Sequence, residues 1–266
     1  MKLKKMFTAV VAFALVLSLA SCGGTGKKVE SADDLSGARI GAQTGTTGAQ
    51  YIEADKKDGV LSESTDLQQF SKGADAIQAL KQGKIDAVII DNEPAKAFVE
   101  KNSDLKILDT PYTEEEYAIC IAKDNPELTE AFNGAIVEIK SEGILDAIFD
   151  KYINKTEGAK GYVTPEGTEH PNGELVMATN AYFPPYEYYE GKEIVGFDIE
   201  LATAICDKLG YTLKVEDMEF DSIIAAIQSG KADFGAAGMT VDETRLKSVD
   251  FTDTYCTGIQ VIVVKK

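Results

Sequence analysis

The chain has 266 residues, with 27 Lys and Arg against 44 Asp and Glu, and a formal net charge of −17. So acidic a protein is repelled by nucleic acid and by anionic lipid, so neither is expected as a partner of its surface. A single histidine, His170, and cysteines without a CxxC pair exclude a zinc site and a Cys–His catalytic pair. No metal and no cofactor is expected, and Cys120, Cys206 and Cys256 read as buried free thiols.

At the start of the chain Lys2, Lys4 and Lys5 precede an apolar or small run from Met6 to Ala20. That run is too short for a permanent span, since a helix needs about 20 apolar residues to cross a bilayer. It closes on Leu19-Ala20-Ser21-Cys22, small residues before a cysteine, and this tetrapeptide resembles a bacterial lipobox. The resemblance implies a signal peptide over 1–22, a lipid on Cys22, and an extracytoplasmic chain held to the membrane by that lipid alone. Residues 23–30, opening Gly23-Gly24-Thr25-Gly26, read as a flexible tether.

Short β-branched runs then alternate with helical periodicity, the pattern of an α/β fold. Strand 38–42 leads to helix 48–57, stopped by Gly59; strand 67–70 leads to helix 74–82, ended by Gly83. Strand 85–90 is followed by a helix opening at Glu93-Pro94, with proline in its first turn. A strand over 116–123 precedes two helices near 126–141 and 144–153. Residues 156–172 hold Gly158, Gly161, Pro165, Gly167 and Pro171 with little periodicity, and read as a linker. The pattern restarts with strand 174–178, helix 198–209, strand 212–216, helix 222–228 and strand 232–236. A short helix from Asp242 and a strand over 258–264 follow. The run 76–87 is echoed by 224–234, with Gly83-Lys84-x-Asp86 falling on Gly230-Lys231-x-Asp233. Two similar α/β units facing each other make a cleft, a favoured place for ligands.

In open α/β sheets, ligands bind beyond the carboxyl ends of the strands. Gly45-Thr46-Thr47-Gly48 follows the first strand and opens a helix, whose free N–H groups suit an anion. Asp91 follows an apolar strand, where an acid can receive an ammonium. Gly238-Met239-Thr240 follows strand 232–236, with Arg245 one short turn later. A carboxylate clamp of Arg245 with the Thr47 and Thr240 N–H groups, plus Asp91 for an ammonium, is what an amino-acid zwitterion requires. Singly, each has a plainer reading: a turn, a helix cap, a surface ion pair.

Longer motifs carry a resemblance to a family. Ala178-Thr-Asn-Ala-Tyr-Phe-Pro-Pro-Tyr-Glu187, Ile194-Val-Gly-Phe-Asp-Ile-Glu-Leu201 and Gly238-Met-Thr-Val-Asp-Glu-Thr-Arg245 are similar to polar amino-acid-binding proteins of ABC importers, as are Val249-Asp-Phe-Thr-Asp-Thr-Tyr255 and Gly41-Ala-Gln-Thr-Gly-Thr-Thr47. The resemblance implies a two-lobed, type II periplasmic-binding-protein-like fold that closes on a free L-amino acid and delivers it, as a monomer, to a membrane permease. It implies that Arg245 pairs the α-carboxylate with the Thr240 and Thr47 N–H groups. Asp91, the Gly238 carbonyl and the Thr240 hydroxyl would hold the α-ammonium. Phe183 and Phe220 would cover the side chain, with Asn180 and Gln43 at its end. Many members that bind cationic side chains carry an acid where this chain has Asn180. With nothing acidic or basic clearly aimed at the side-chain end, a polar, uncharged ligand is the first expectation, with arginine as the alternative.

The order of the motifs departs from the family, whose members begin with the segment resembling 173–266. The chain therefore looks circularly permuted, its lobes swapped in sequence order. Lobe B would be 31–115 and lobe A 124–155 plus 173–257, with 156–172 joining the family's usual termini. Residues 116–123 would form the hinge strand, the one covalent crossing, and 258–266 a second hinge strand pairing antiparallel to it. Two other functions compete: a small-molecule dehydratase on the same fold, with Asp91 or Glu187 as its acid, and a ligand-sensing ectodomain.

Overall fold

Two stretches of small and β-branched residues, punctuated by glycine turns, each build a mixed sheet with helices between the strands. The computed structural model describes residues 26–266; the signal-peptide reading, Cys22 and tether residues 23–25 lie outside the described residues. In chain order the first stretch gives β1 Arg39–Gln43, α1 Thr47–Lys57, β2 Asp66–Phe70, α2 Gly73–Lys81, β3 Ala87–Asp91, α3 Asn92–Lys101, β4 Leu105–Ile107 and β5 Thr113–Tyr117. Then come β6 Cys120–Ala122, α4 Pro126–Ser141, α5 Ile144–Tyr152 and β7 Glu174–Thr179. A small three-stranded sheet follows: β8 Tyr182–Phe183, β9 Glu187–Glu190 and β10 Glu193–Val195. The chain continues through α6 Phe197–Lys208, β11 Thr212–Asp217, α7 Ile223–Gln228, β12 Phe234–Gly235, β13 Val249–Phe251 and β14 Cys256–Lys265.

The first sheet runs β2-β1-β3-β14-β4, with β5 also on β14; the second runs β11-β7-β12-β6-β13. In each, three parallel strands are followed by an antiparallel one. The α/β class and the repeated half expected from the 76–87 and 224–234 echo are thus visible in strand order. The strands absent from the sequence reading are short: β4, β8, β10 and β13 have three residues or fewer, and β9 has four. So short a run gives no periodicity to detect.

The expected strand 116–123 is divided. Tyr117 still pairs with Cys256 in the first sheet, whereas Cys120 and Ile121 pair with β12 and β13 in the second. The break falls where the hydrogen-bond partner changes: Ala118 N–H donates to Met239 O at 3.0 Å, and Thr252 N–H to Ile119 O at 2.9 Å. The antiparallel partner is displaced as well. Residues 256–260 of β14 pair with 113–117, and 260–265 pair with β3 and β4. The chain also crosses twice, since 252–255 lead from β13 in one sheet to β14 in the other. The reason is the composition of β14. Val261, Ile262, Val263 and Val264 are all buried, as an interior strand requires. Each contributes about 1.5–3 kcal/mol by leaving water. That gain carries the strand beyond the hinge and into the first sheet.

The linker 156–172 contains no helix or strand but is tied along α6. Tyr162 donates its N–H to Glu200 at 2.7 Å and its hydroxyl to Asp207 at 2.9 Å, and His170 Nε2 meets Asp207 at 2.7 Å. Cys120, Cys206 and Cys256 are buried free thiols.

Candidate ligand-binding site

A narrow cavity lies between the loops that leave the two large sheets. All nine residues singled out from the sequence line it. Gln43, Thr47 and Asp91 come from the first sheet's elements; Phe183 comes from β8 of the small sheet, and Asn180, Phe220, Gly238, Thr240 and Arg245 come from segments that follow strands of the second.

On the first side, β1 ends at Gln43 and a turn through Gly45 opens α1 at Thr47. The first N–H groups of a helix have no intrahelical partner and carry partial positive charge, which suits an anion. Asp91 closes β3 and is the N-cap of α3, yet its side chain makes no capping bond. It accepts a short hydrogen bond from the Tyr117 hydroxyl instead. Burial, and then the nearby Glu115, raise its pKa above the usual carboxylate range.

On the second side, Gly238 has φ +52, and a Cβ there would lie 2.7 Å from the Phe183 ring. Only glycine lets backbone and ring come so close. Thr240 donates its hydroxyl to Glu115 at 3.0 Å, which keeps the lone pairs of its Oγ free to accept. Glu115 also accepts from Gln260 at 3.0 Å, so β5 and β14 together brace this threonine. Arg245 is 5% exposed. Its guanidinium donates to Thr240 O at 2.7 Å and to Gly45 O at 3.0 Å, and its Nε lies 3.2 Å from Asp242. The contact with Gly45 joins elements of the two sheets. The Phe220 ring lies 5.4 Å from the guanidinium carbon, a cation–π distance.

Gln43 and Asn180 meet across the cavity. Gln43 Nε2 donates to Asn180 Oδ1 at 2.9 Å, and Asn180 Nδ2 donates to Met218 O at 2.7 Å. The free space is therefore bounded by aromatic faces, two amides, an arginine and acids. Such a lining binds a small, polar, charged molecule.

Three lining residues were not singled out as ligand contacts: Thr46, Ala237 and Glu187. Glu187 matters most, because the sequence reading placed no acid at the side-chain end. It is fully buried, and neither carboxylate oxygen meets a donor among the described residues. Burial, and then the neighbouring Asp198, push its pKa well above the ordinary carboxylate value. Asp198 accepts from the Gly238 N–H at 2.8 Å and from the Tyr255 hydroxyl at 2.9 Å. Burial outweighs these bonds and raises Asp198 to about 6. Glu187 and Asp198 are thus two neighbouring buried acids, each held above the ordinary carboxylate value by burial first. Sequence spacing could not have placed Glu187 inside, because Glu187–Glu190 reads Glu-Tyr-Tyr-Glu with no apolar alternation. Its burial depends on Gly196, where a Cβ would lie 2.1 Å from Tyr186 O.

Residues 175–266 match the profile of the bacterial extracellular solute-binding proteins, family 3. The arginine-binding extracellular protein ArtP of Bacillus subtilis is 47% identical over 100 residues, which are 38% of this chain and 39% of that protein. The ABC transporter glutamine-binding protein GlnH of the same organism is 29% identical over 131 residues, 49% of this chain and 46% of that one. Among solved structures, an ancestral arginine-binding protein bound to arginine matches at 49% identity and a TM-score of 0.31, covering 32% of this chain and 38% of that one. The chain thus spans about two fifths of the length of the first two curated relatives it matches. The matched family is one of solute binders, not of enzymes. Through residues 175–266, this chain is thus similar to the bacterial extracellular solute-binding proteins, family 3.

Proposed function

We propose that this protein captures a free L-amino acid with a cationic side chain, arginine above all, outside the cytoplasm and delivers it to an ABC importer. One observation carries the reading: the cavity is lined by one cation, Arg245, and two acids, Asp91 and Glu187. An α-carboxylate pairs with Arg245 and the N–H groups of Thr47 and Thr240. An α-ammonium pairs with Asp91, the Gly238 carbonyl and the Thr240 hydroxyl. A cationic side chain between Phe183 and Phe220 then balances Glu187, with Gln43 and Asn180 beside it. The name of one relative points the same way, since ArtP is an arginine-binding protein. Cys22 carries the lipid that holds the chain to the membrane, a permease is the partner, and the binding protein acts as a monomer.

We also infer a circular permutation, with lobe B at 31–115 and lobe A at 124–155 plus 173–257. Residues 116–123 and the connection 252–255 serve as the hinge, and the linker 156–172 joins the family's ordinary ends. Two observations support this. The family match falls on residues 175–266, and residues 26–30 and 264–266 line one shallow depression together, as a severed connection would. A thermal-shift screen of the twenty amino acids tests the function. A ligand at 100 times its dissociation constant adds about 2.7 kcal/mol. L-arginine is expected to give the largest shift; a screen in which no amino acid raises the melting temperature refutes the reading.

A further inference from the structure

Of the two acids in the cavity, a zwitterion with a neutral side chain uses one. Asp91 takes the ammonium and Arg245 the carboxylate, which leaves Glu187 over. Its surroundings do not favour a permanent negative charge. The ionisable groups facing it are Asp198 on α6, Asp91 at the end of β3, Asp217 at the end of β11, and the Tyr255 hydroxyl before β14. The cavity's arginine is engaged by Thr240, Gly45 and Asp242. No donor meets either Glu187 oxygen among the described residues. Two buried carboxyl groups side by side cannot both ionise cheaply, and Asp198 holds the better donors in Gly238 and Tyr255.

Resting on the amino-acid reading above, we propose that Glu187 reads the charge of the ligand's side chain by exchanging its own proton. Beside an uncharged side chain it stays a neutral carboxylic acid, hydrogen-bonded to Asp198. When a guanidinium or ammonium group enters, the Glu187 O–H bond breaks and the proton leaves to solvent. The carboxylate that remains pairs with the ligand's cation. No bond to the ligand forms and no electrons are transferred, so the charge balance is one cation gained and one proton lost. The direction of the Glu187 shift, set by burial and the acids around it, agrees with this. It follows that arginine affinity rises with pH, by up to about tenfold per unit while Glu187 is protonated in the empty cavity. Affinity for a neutral amino acid rises less steeply, through Asp91 alone.

The test is calorimetric titration of the whole protein with L-arginine and with L-glutamine at pH 7. Each is run in phosphate and in Tris, whose ionisation enthalpies differ widely. For arginine the difference in apparent binding enthalpy between buffers is expected to exceed that for glutamine by the amount that release of about one proton requires. For glutamine the difference is expected to be that of Asp91 alone, whose buried carboxyl also gives up its proton when the α-ammonium binds. In Glu187→Gln, residual arginine binding is expected to show only the buffer dependence seen with glutamine. Arginine binding with equal heats in both buffers overturns the proposal while leaving the amino-acid reading intact. Equal proton release for arginine and glutamine overturns it too, because the release then comes from the α-ammonium site and not from Glu187. Failure to bind arginine at all refutes the cationic-ligand reading, and this proposal with it.

Discussion

Replacing Arg245 with alanine tests the clamp most directly. Arg245 is buried, and its guanidinium reaches Thr240 O on its own side and Gly45 O on the other. It therefore acts twice: as the charge for a ligand carboxylate and as a tie between the two sheets' loops. Truncating one member of a buried, hydrogen-bonded charge pair costs about 2–5 kcal/mol, because the other charge is left uncompensated. That range corresponds to roughly thirtyfold to several thousandfold in Kd. Arg245→Lys keeps the charge but not the planar fork that serves both carbonyls and a carboxylate, so an intermediate loss is expected. Calorimetry with L-arginine on both variants measures the effect, with circular-dichroism melting to establish that each is folded. Asp242, the remaining partner, is 20% exposed in its side chain and can be rehydrated, so a folded alanine variant is expected. A change in affinity below about threefold in folded Arg245→Ala would refute the clamp.

Ligand-free stability is expected to fall as pH rises from 4 to 7. Burial raises the carboxyls of Asp91, Glu187 and Asp198, so the folded protein keeps protons that the unfolded chain has already lost. Asp198 alone, raised from 3.8 to about 6, accounts for about 3 kcal/mol across that window. Scanning calorimetry showing a melting temperature that rises steadily over the same range would contradict the assignment. A chain reordered as 173–266 followed directly by 31–155 is expected to fold and to bind the same amino acid; an unfolded product counts against the permutation. Cys22→Ala in the full-length protein is expected to appear in the soluble fraction of cells, and its retention in washed membranes would exclude the lipid anchor.

Much of this molecule follows from its sequence alone. Alternating periods place β1 through α3, and β7, α6, β11, α7 and β12, within a few residues of their observed bounds, because each half repeats a strand, a glycine turn and a helix. The cavity residues were also legible: Thr47, Asp91 and Thr240 stand at strand ends or helix starts, where backbone geometry exposes polar groups. Tertiary structure decided what local pattern does not encode. Residues 116–123 look like one strand because Tyr117, Ile119 and Ile121 alternate, yet their hydrogen-bond partners lie in two sheets, and only the assembled fold divides them. The strand β14 looks like a hinge but is an interior strand, because β3 and β4 enclose it from both sides. Glu187 carries no sequence signal of burial. It lies inside because Gly196 lets the chain return against Tyr186, and its pKa is raised first by that burial and then by Asp198, Asp91 and Asp217, brought together from separate elements. Local propensity reports what a residue prefers by itself, whereas the charge state of a buried acid depends on which other acids the fold sets beside it.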